Sequence, residues 1–274
     1  NKINNILIDS RHLSKNKNSL FFAIIGNKNG HDFIPKLITQ GLSHFVISNR
    51  DSAENKNCTY FLVEDTKVAL QRLASFHRNQ FKIPVIGITG SNGKTTVKEW
   101  LAESLLPKEE IAKTPGSFNS QFGVPLSIFQ LNPTNTVGVF EAGISKKGEM
   151  NNLEEIIKPT VGILTNIGSA HADGFKNLKE KIEEKILLFK NCKVTICEEK
   201  NSVFFNTTKS LFTWGEKGDL IIKVLKDKIA LTYNNQKLKL NIDTSDIYTI
   251  ENLCHIIAYH CWKNKSLEGI QNII

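Results

Sequence analysis

Between Gly87 and Thr96 the chain reads Gly-Ile-Thr-Gly-Ser-Asn-Gly-Lys-Thr-Thr: two glycines three residues apart, then a lysine and two hydroxyls. The preceding run, Pro84–Thr89, is apolar enough for a buried strand, and the stretch from Lys94 to Leu106 has the pattern of a helix. A strand that bends into a helix through Gly90 and Gly93 lets backbone N–H groups close around a phosphate, and the helix N-terminus favours its negative charge. Lys94 is then placed for β- and γ-phosphates, and the Thr95 hydroxyl for Mg²⁺. The spacing departs from the general G-x-x-x-x-G-K-[ST] pattern, whose first glycine position is Ile88 here. The expected ligand is ATP or GTP.

The elements that must position this turn alternate between strand and helix. Asn5–Asp9 and Leu20–Ile24 read as strands, His31–Gln40 as a helix ended by Gly41, and His44–Ser48 and Thr59–Val63 as further strands. Asp65 looks like the cap of a helix bearing Val68, Leu70, Leu73, Ala74 and Phe76. This predicts a first domain over 1–82 and a second over 83–274. In the second, Thr136–Phe140, Val161–Asn166 and Lys193–Glu198 are parallel-strand candidates, with helices at Val124–Leu131, Gly148–Ile157 and Leu178–Phe189. Strands separated by helices imply βαβ units and a mainly parallel sheet covered on both faces, an α/β fold. Leu220–Leu225, Ile229–Tyr233 and Leu238–Ile242 read as a short β-meander turning at Asn234–Asn235, and a helix from Thr249 to about Lys263 follows.

Composition narrows the class. The 274 residues are 40% hydrophobic and 23% charged, ordinary for a chain that buries a core. Lys and Arg exceed Asp and Glu by 35 − 27 = +8, yet the basic residues are scattered, with no block of five or six. That scatter argues against a nucleic-acid surface. No run of ~18 apolar residues predicts a membrane span, and no secretory leader follows Asn1. A start at Asn1 rather than Met reads as a piece of a longer polypeptide. Cys58, Cys192, Cys197, Cys254 and Cys261 form no C-x-x-C pair, which suits buried thiols in a reducing cytoplasm rather than zinc or disulfides.

Thr89-Gly-Ser-Asn-Gly-Lys-Thr-Thr96 resembles the shortened phosphate loop of the Mur ligases and their folylpolyglutamate synthetase relatives. Asp9-Ser-Arg11, Leu20-Phe-Phe-Ala23 and Asn29-Gly-His-Asp-Phe-Ile34 resemble the N-terminal UDP-sugar-holding domain of the diamino-acid-adding and D-alanyl-D-alanine-adding members. GSFNSQFGVPLSIF (Gly116–Phe129), EAGISKKGEM (Glu141–Met150) and TNIGSAHADGF (Thr165–Phe175) are similar to the D-alanyl-D-alanine-adding branch.

The resemblance implies a small N-terminal α/β domain, a P-loop central domain, and a C-terminal Rossmann-like domain that this sequence, ending at Ile274, does not include. It implies ATP-dependent joining of UDP-N-acetylmuramoyl-tripeptide to D-Ala-D-Ala through an acyl phosphate, in peptidoglycan precursor synthesis. In some bacteria it implies a fused alanine racemase downstream. Little or no ligation is expected of residues 1–274 alone, since closure of a further domain completes such sites.

By the same resemblance, Gly90, Ser91, Asn92, Gly93, Lys94, Thr95, Thr96 and Asn252 bind the nucleotide, and Thr95, Glu141, His171 and Lys185 serve two Mg²⁺ ions. Asn119 lies near the γ-phosphate and the incoming carboxylate, and Ser10 and Arg11 contact uridine and diphosphate. Lys185, fourteen residues beyond His171, is the lysine whose CO₂ adduct, a carbamate, supports the second ion. Lys181 lies one turn earlier on the same face. Thr249 stands where the family usually has asparagine, and Asn29 where it has an acid. Three other readings stay open: a diamino-acid-adding ligase, a P-loop switch, and a binding module without ligase activity.

Overall fold

The computed structural model describes residues 3–13, 18–106, 108–168, 174–206, 210–243 and 245–273. The chain divides into two units, Asn1–His77 and Arg78–Ile274.

In the first unit the strands β1 (Asn5–Leu7), β2 (Ser19–Phe22), β3 (His44–Ile47) and β4 (Thr59–Leu62) form a parallel sheet in that order. The predicted helix at 31–40 is shorter: a 3-10 turn, Gly30–Phe33, precedes α1 (Ile34–Thr39). The cause is local, because the Asn29 side chain caps His31 N and Pro35 resets the start of the α-helix. Leu7, Phe21, Ile34, Leu37, Phe45 and Ile47 are buried together. Helix α2 (Thr66–Arg78) begins where Asp65 accepts from Lys67 N and Val68 N.

The second unit is built on one nine-stranded sheet. Its strands are β5 (Val85–Thr89), β6 (Ile111–Lys113), β7 (Val137–Glu141), β8 (Val161–Leu164), β9 (Val194–Glu198), β10 (Leu211–Gly215), β11 (Leu220–Leu225), β12 (Lys228–Tyr233) and β13 (Gln236–Asn241). Their order is β13-β12-β11-β10-β9-β8-β5-β7-β6, parallel from β6 to β11 and antiparallel beyond. The meander is therefore continuous with the main sheet rather than a separate feature. The sequence reading missed its link, β10, whose Leu-Phe-Thr-Trp-Gly opens on two adjacent apolar residues although its burial alternates, and the three-residue edge strand β6. Asn234 and Asn235 both adopt positive φ, the signature of the type I′ turn that two-residue hairpins favour.

Every residue of β5, β7 and β8 is buried, as expected where helices cover both faces. Helices α3 (Lys94–Leu105) and α7 (Ile247–Asn264) pack together on one face. On the other, α4 (Gly123–Ile128), α5 (Glu149–Ile157) and α6 (Leu178–Ile186) pack in sequence, and a 3-10 turn, Leu187–Phe189, lies against β5 and β8. The chain runs from β5 to β6 on one side and later from β7 to β8 on the other. The carboxyl ends of β5, β7 and β8 thus flank the point where the winding reverses, the crevice in which such sheets bind ligands.

Two consequences for stability follow. Gly162 of β8 faces the fully buried Phe189, and a Cβ there would stand 2.3 Å from the ring. Gly162→Ala is expected to lower the denaturant midpoint by the equivalent of about 1–3 kcal/mol, and Phe189→Leu in the same chain to return part of the loss. A neutral single variant contradicts the packing. Secondly, burial pushes His255 and His260 on α7 down to about 4. The unfolded chain, with histidine near ~6.5, then binds more protons between these values, so stability is full above pH ~6.5 and falls towards pH 4. Urea titrations between pH 7.5 and 5, above carboxylate titration, should show up to ~1.4 kcal/mol lost per pH unit per histidine. A flat profile there refutes it.

Candidate functional site

The turn after β5 depends on two missing side chains. A Cβ on Gly90 would lie 1.9 Å from Thr165 Oγ1, and one on Gly93 would lie 2.2 Å from Asn252 Oδ1. Gly93 also has φ +79°, a conformation that disfavours other residues, and it precedes α3 without any side-chain cap. The first-turn amides of α3, through Thr96, therefore end the helix with donors that its own carbonyls do not reach. Asn166 braces the turn, its carbonyl accepting from Ser91 N at 2.8 Å and its Oδ1 from Asn92 N at 2.9 Å. Thr165 Oγ1 donates to the Asn92 carbonyl at 2.6 Å, and Ser91 Oγ accepts from Gly168 N at 2.9 Å.

Cations gather on the carbonyl side of this turn. Lys94 Nζ donates to Gly90 O and Ser91 O, each at 3.1 Å, and Lys185 Nζ donates to Gly90 O at 2.8 Å. Lys181, one turn before Lys185, donates to Gly168 O at 3.4 Å. Both α6 lysines are buried. Burial first, and then the charges of Lys94 and Lys181, bring the Lys185 ammonium down to about 7. Burial also lowers Lys94, against the opposing pull of Glu141.

The acid is Glu141, last residue of β7 and fully buried. Thr95 Oγ1 donates to its Oε2 at 2.9 Å, and Asn119 Nδ2 to its Oε1 at 3.3 Å. Thr114 Oγ1 accepts from Glu141 N at 3.1 Å. Asn119 is anchored in turn, its carbonyl accepting from Gly143 N. Beside the turn, Asn92, Gly93, Asn166, Tyr248, Glu251 and Asn252 line a cavity of about 300 Å³.

Thr95, Glu141 and Asn119 thus meet in one hydrogen-bonded chain, and Gly90, Ser91, Lys94 and Lys185 in a second. Asn252 abuts Gly93. His171 lies outside the described residues. Ser10 and Arg11 sit in the first unit, where Arg11 Nε and Nη2 clasp Asp9 and the side chain is 83% exposed. That pairing holds Asp9 down to about 2. Among the described residues no group of three or more His, Cys, Asp and Glu is arranged to hold a metal ion.

The sequence reading did not single out Lys98, whose side chain has no exposed surface. Its ammonium donates to Thr114 O at 2.7 Å and to Gly116 O and pairs with Glu99, fixing the loop that carries Asn119. A lysine one turn after Lys94 on the same helix was the available signal. Thr165 and Asn166 were read only as part of a strand and a motif, not as the turn's support.

The profile of the Mur ligase middle domain matches residues 88–264. UDP-N-acetylmuramoyl-tripeptide–D-alanyl-D-alanine ligase of Synechocystis is 39% identical over 171 residues, covering 62% of this chain and 37% of that protein. The crystal structure of MurF from Acinetobacter baumannii superposes with a TM-score of 0.87 at 25% identity, over 99% of this chain and 62% of that one. MurF from Thermotoga maritima, in complex with ADP, superposes at 0.84 with 24% identity, over 97% and 64%. The chain therefore spans less than two thirds of these proteins' lengths, from 37% to 64%. With the middle-domain profile covering more than half of its residues and ending at the last residue of α7, this chain is a member of the Mur ligase family.

Proposed function

We propose that this chain carries the ATP- and UDP-sugar-binding parts of a cytoplasmic ligase that adds D-Ala-D-Ala to UDP-N-acetylmuramoyl-tripeptide in peptidoglycan precursor synthesis. The observation that carries the reading is the buried Glu141 carboxylate, bonded by both Thr95 and Asn119 beside the lysine-edged turn.

The reaction brings two anions together, a substrate carboxylate and the γ-phosphate of ATP, so positioning and charge neutralisation dominate its catalysis. The carboxylate oxygen bonds to the γ-phosphorus as the bond to ADP breaks. The dipeptide amine then attacks the acyl carbon, phosphate leaves with the bonding pair, and the amine loses a proton. Lys94 and the first-turn amides of α3 hold the β- and γ-phosphates. The adenine side falls to Asn252 and the cavity beside Gly93. Asn119 orients the incoming carboxylate.

The donor set fits Mg²⁺, since a threonine hydroxyl and a carboxylate are hard oxygen ligands. Thr95 and Glu141 would hold one ion, His171 and a Lys185 carbamate the second, and the ions would supply neutralising charge. The Lys185 amine bonds to the carbon of CO₂ and loses a proton, turning a cation into a carboxylate. That reaction needs a neutral amine, which a lysine near 7 provides at cellular pH and an ordinary lysine does not. In the first unit Arg11, pre-oriented by Asp9, meets the diphosphate, with Ser10 at the uridine.

Titration with MgADP by calorimetry tests the nucleotide site. Lys94→Ala is expected to weaken binding at least about tenfold, and unchanged affinity overturns the assignment. In ¹³C-bicarbonate the chain should show a carbamate carbon signal that Lys185→Ala removes and Lys181→Ala keeps. In the whole polypeptide, Lys185→Ala should lose ligation but retain nucleotide binding, with partial rescue by a short-chain carboxylic acid. Full ligation by that variant rejects the carbamate role.

A further inference from the structure

Helix α7 reads Asn-Leu-Cys-His-Ile-Ile-Ala-Tyr over 252–259, and its histidine has no exposed surface. A fully buried imidazole is tolerated only where both ring nitrogens are bonded, and both are. Trp214 Nε1 lies 3.1 Å from Nδ1, and Nε2 lies 2.8 Å from the Thr165 carbonyl. An indole N–H only donates, so Nδ1 is the bare nitrogen and Nε2 carries the proton. The chain therefore runs one way: Trp214 N–H to His255, and His255 N–H to Thr165 O. The two rings stand edge to face, 5.0 Å apart at 88°.

The Thr165 carbonyl is no arbitrary acceptor. It shares a peptide plane with Asn166, whose carbonyl and side chain hold Ser91 N and Asn92 N. Thr165 itself bonds Thr89 O through its amide and Asn92 O through its hydroxyl, which occupies the space a Cβ on Gly90 would need. That plane joins the two residues whose amide, hydroxyl, carbonyl and side-chain oxygen brace the turn. We propose that His255, held in a single tautomer by Trp214, is a positioning residue that fixes the Thr165–Asn166 peptide and thereby pre-forms the phosphate-binding turn. An apolar side chain at 255 leaves the Thr165 carbonyl and the indole N–H without these partners. Pre-forming the turn spares a ligand the ordering cost of closing it.

The affinity arm of the test rests on the nucleotide reading above, and the exchange arm does not. Amide hydrogen exchange is followed in residues 1–274 without ligand, for the parent, His255→Leu, His255→Gln and Trp214→Phe. His255→Leu should exchange Ser91 and Asn92 amides about tenfold faster while β12 amides keep the parent rate. His255→Gln, which keeps an N–H for Thr165, should stay within about twofold of the parent. Trp214→Phe keeps an aromatic ring and deletes only the donor, so it decides the matter if His255→Leu does not fold. It should accelerate the same two amides selectively. MgADP affinity should fall about fivefold to tenfold in His255→Leu and recover in His255→Gln. Unchanged exchange at Ser91 and Asn92, or acceleration spread equally over β12, overturns the proposal. A parent chain that does not bind MgADP sinks the nucleotide reading instead and leaves the exchange result to judge the relay.

Discussion

Charge is withdrawn from water at the carboxyl edge of β5, β7 and β8. Lys181, Lys185 and Glu141 are buried there, and Lys94 is half-buried. Described contacts give Glu141 a hydroxyl and an amide, while the three ammonium groups rest on carbonyls of Gly90, Ser91 and Gly168. Carbonyl dipoles compensate a desolvated cation only in part, and the depressed proton affinities of all three lysines express the deficit. A fold keeps such an arrangement only if the rest of it is stable enough to hold the cations in place. The remainder of the second unit can be understood as the apparatus that does so.

The central strands carry the mechanical part. β5, β7 and β8 are buried on both faces, so none of their ends can shift without disturbing helices above and below. Each end delivers one component: β5 the turn, β7 the acid, β8 the Thr165–Asn166 brace. Side chains set further back hold the connecting loops. Lys98 ties down the segment leading to Asn119, and its Nζ is bonded to two carbonyls and a carboxylate, so its burial is compensated.

Legibility in the sequence followed the range of the interaction. Gly90 and Gly93 announce their conformations in a few adjacent residues, and the turn between β5 and α3 stands where the motif puts it. Asn234–Asn235 declares a hairpin in the same way. Asp65 was legible as a cap because its partners are two and three residues away. Lys98 and His255 were not, because their acceptors are backbone carbonyls 16 and 90 residues distant, and a carbonyl has no residue type to read. Glu141 was intermediate: its position after a strand was legible, but its bonds to Thr95 and Asn119 needed the packed sheet. β10 escaped notice because Leu211 and Phe212 are both apolar, so its in–out alternation shows only once it is paired with β9 and β11. Where periodicity was strong, as in α3 and α7, ends were placed within a few residues.

The bond lengths around the turn separate two kinds of contact. Thr165 Oγ1 to Asn92 O, Lys98 Nζ to Thr114 O and His255 Nε2 to Thr165 O span 2.6, 2.7 and 2.8 Å, and all three link the turn or its neighbouring loop to other elements. The bonds from Lys94 and Lys181 to turn and loop carbonyls are longer, at 3.1 and 3.4 Å. A phosphate oxygen offers an ammonium a charge-assisted bond roughly twice as strong as a neutral carbonyl does. The bonds of Lys94 to Gly90 and Ser91 carbonyls are therefore ones a polyphosphate would replace at little cost. Lys185 belongs to both sets, bonded at 2.8 Å to the same Gly90 carbonyl as Lys94, and chemistry that changes its charge would redistribute that shared acceptor.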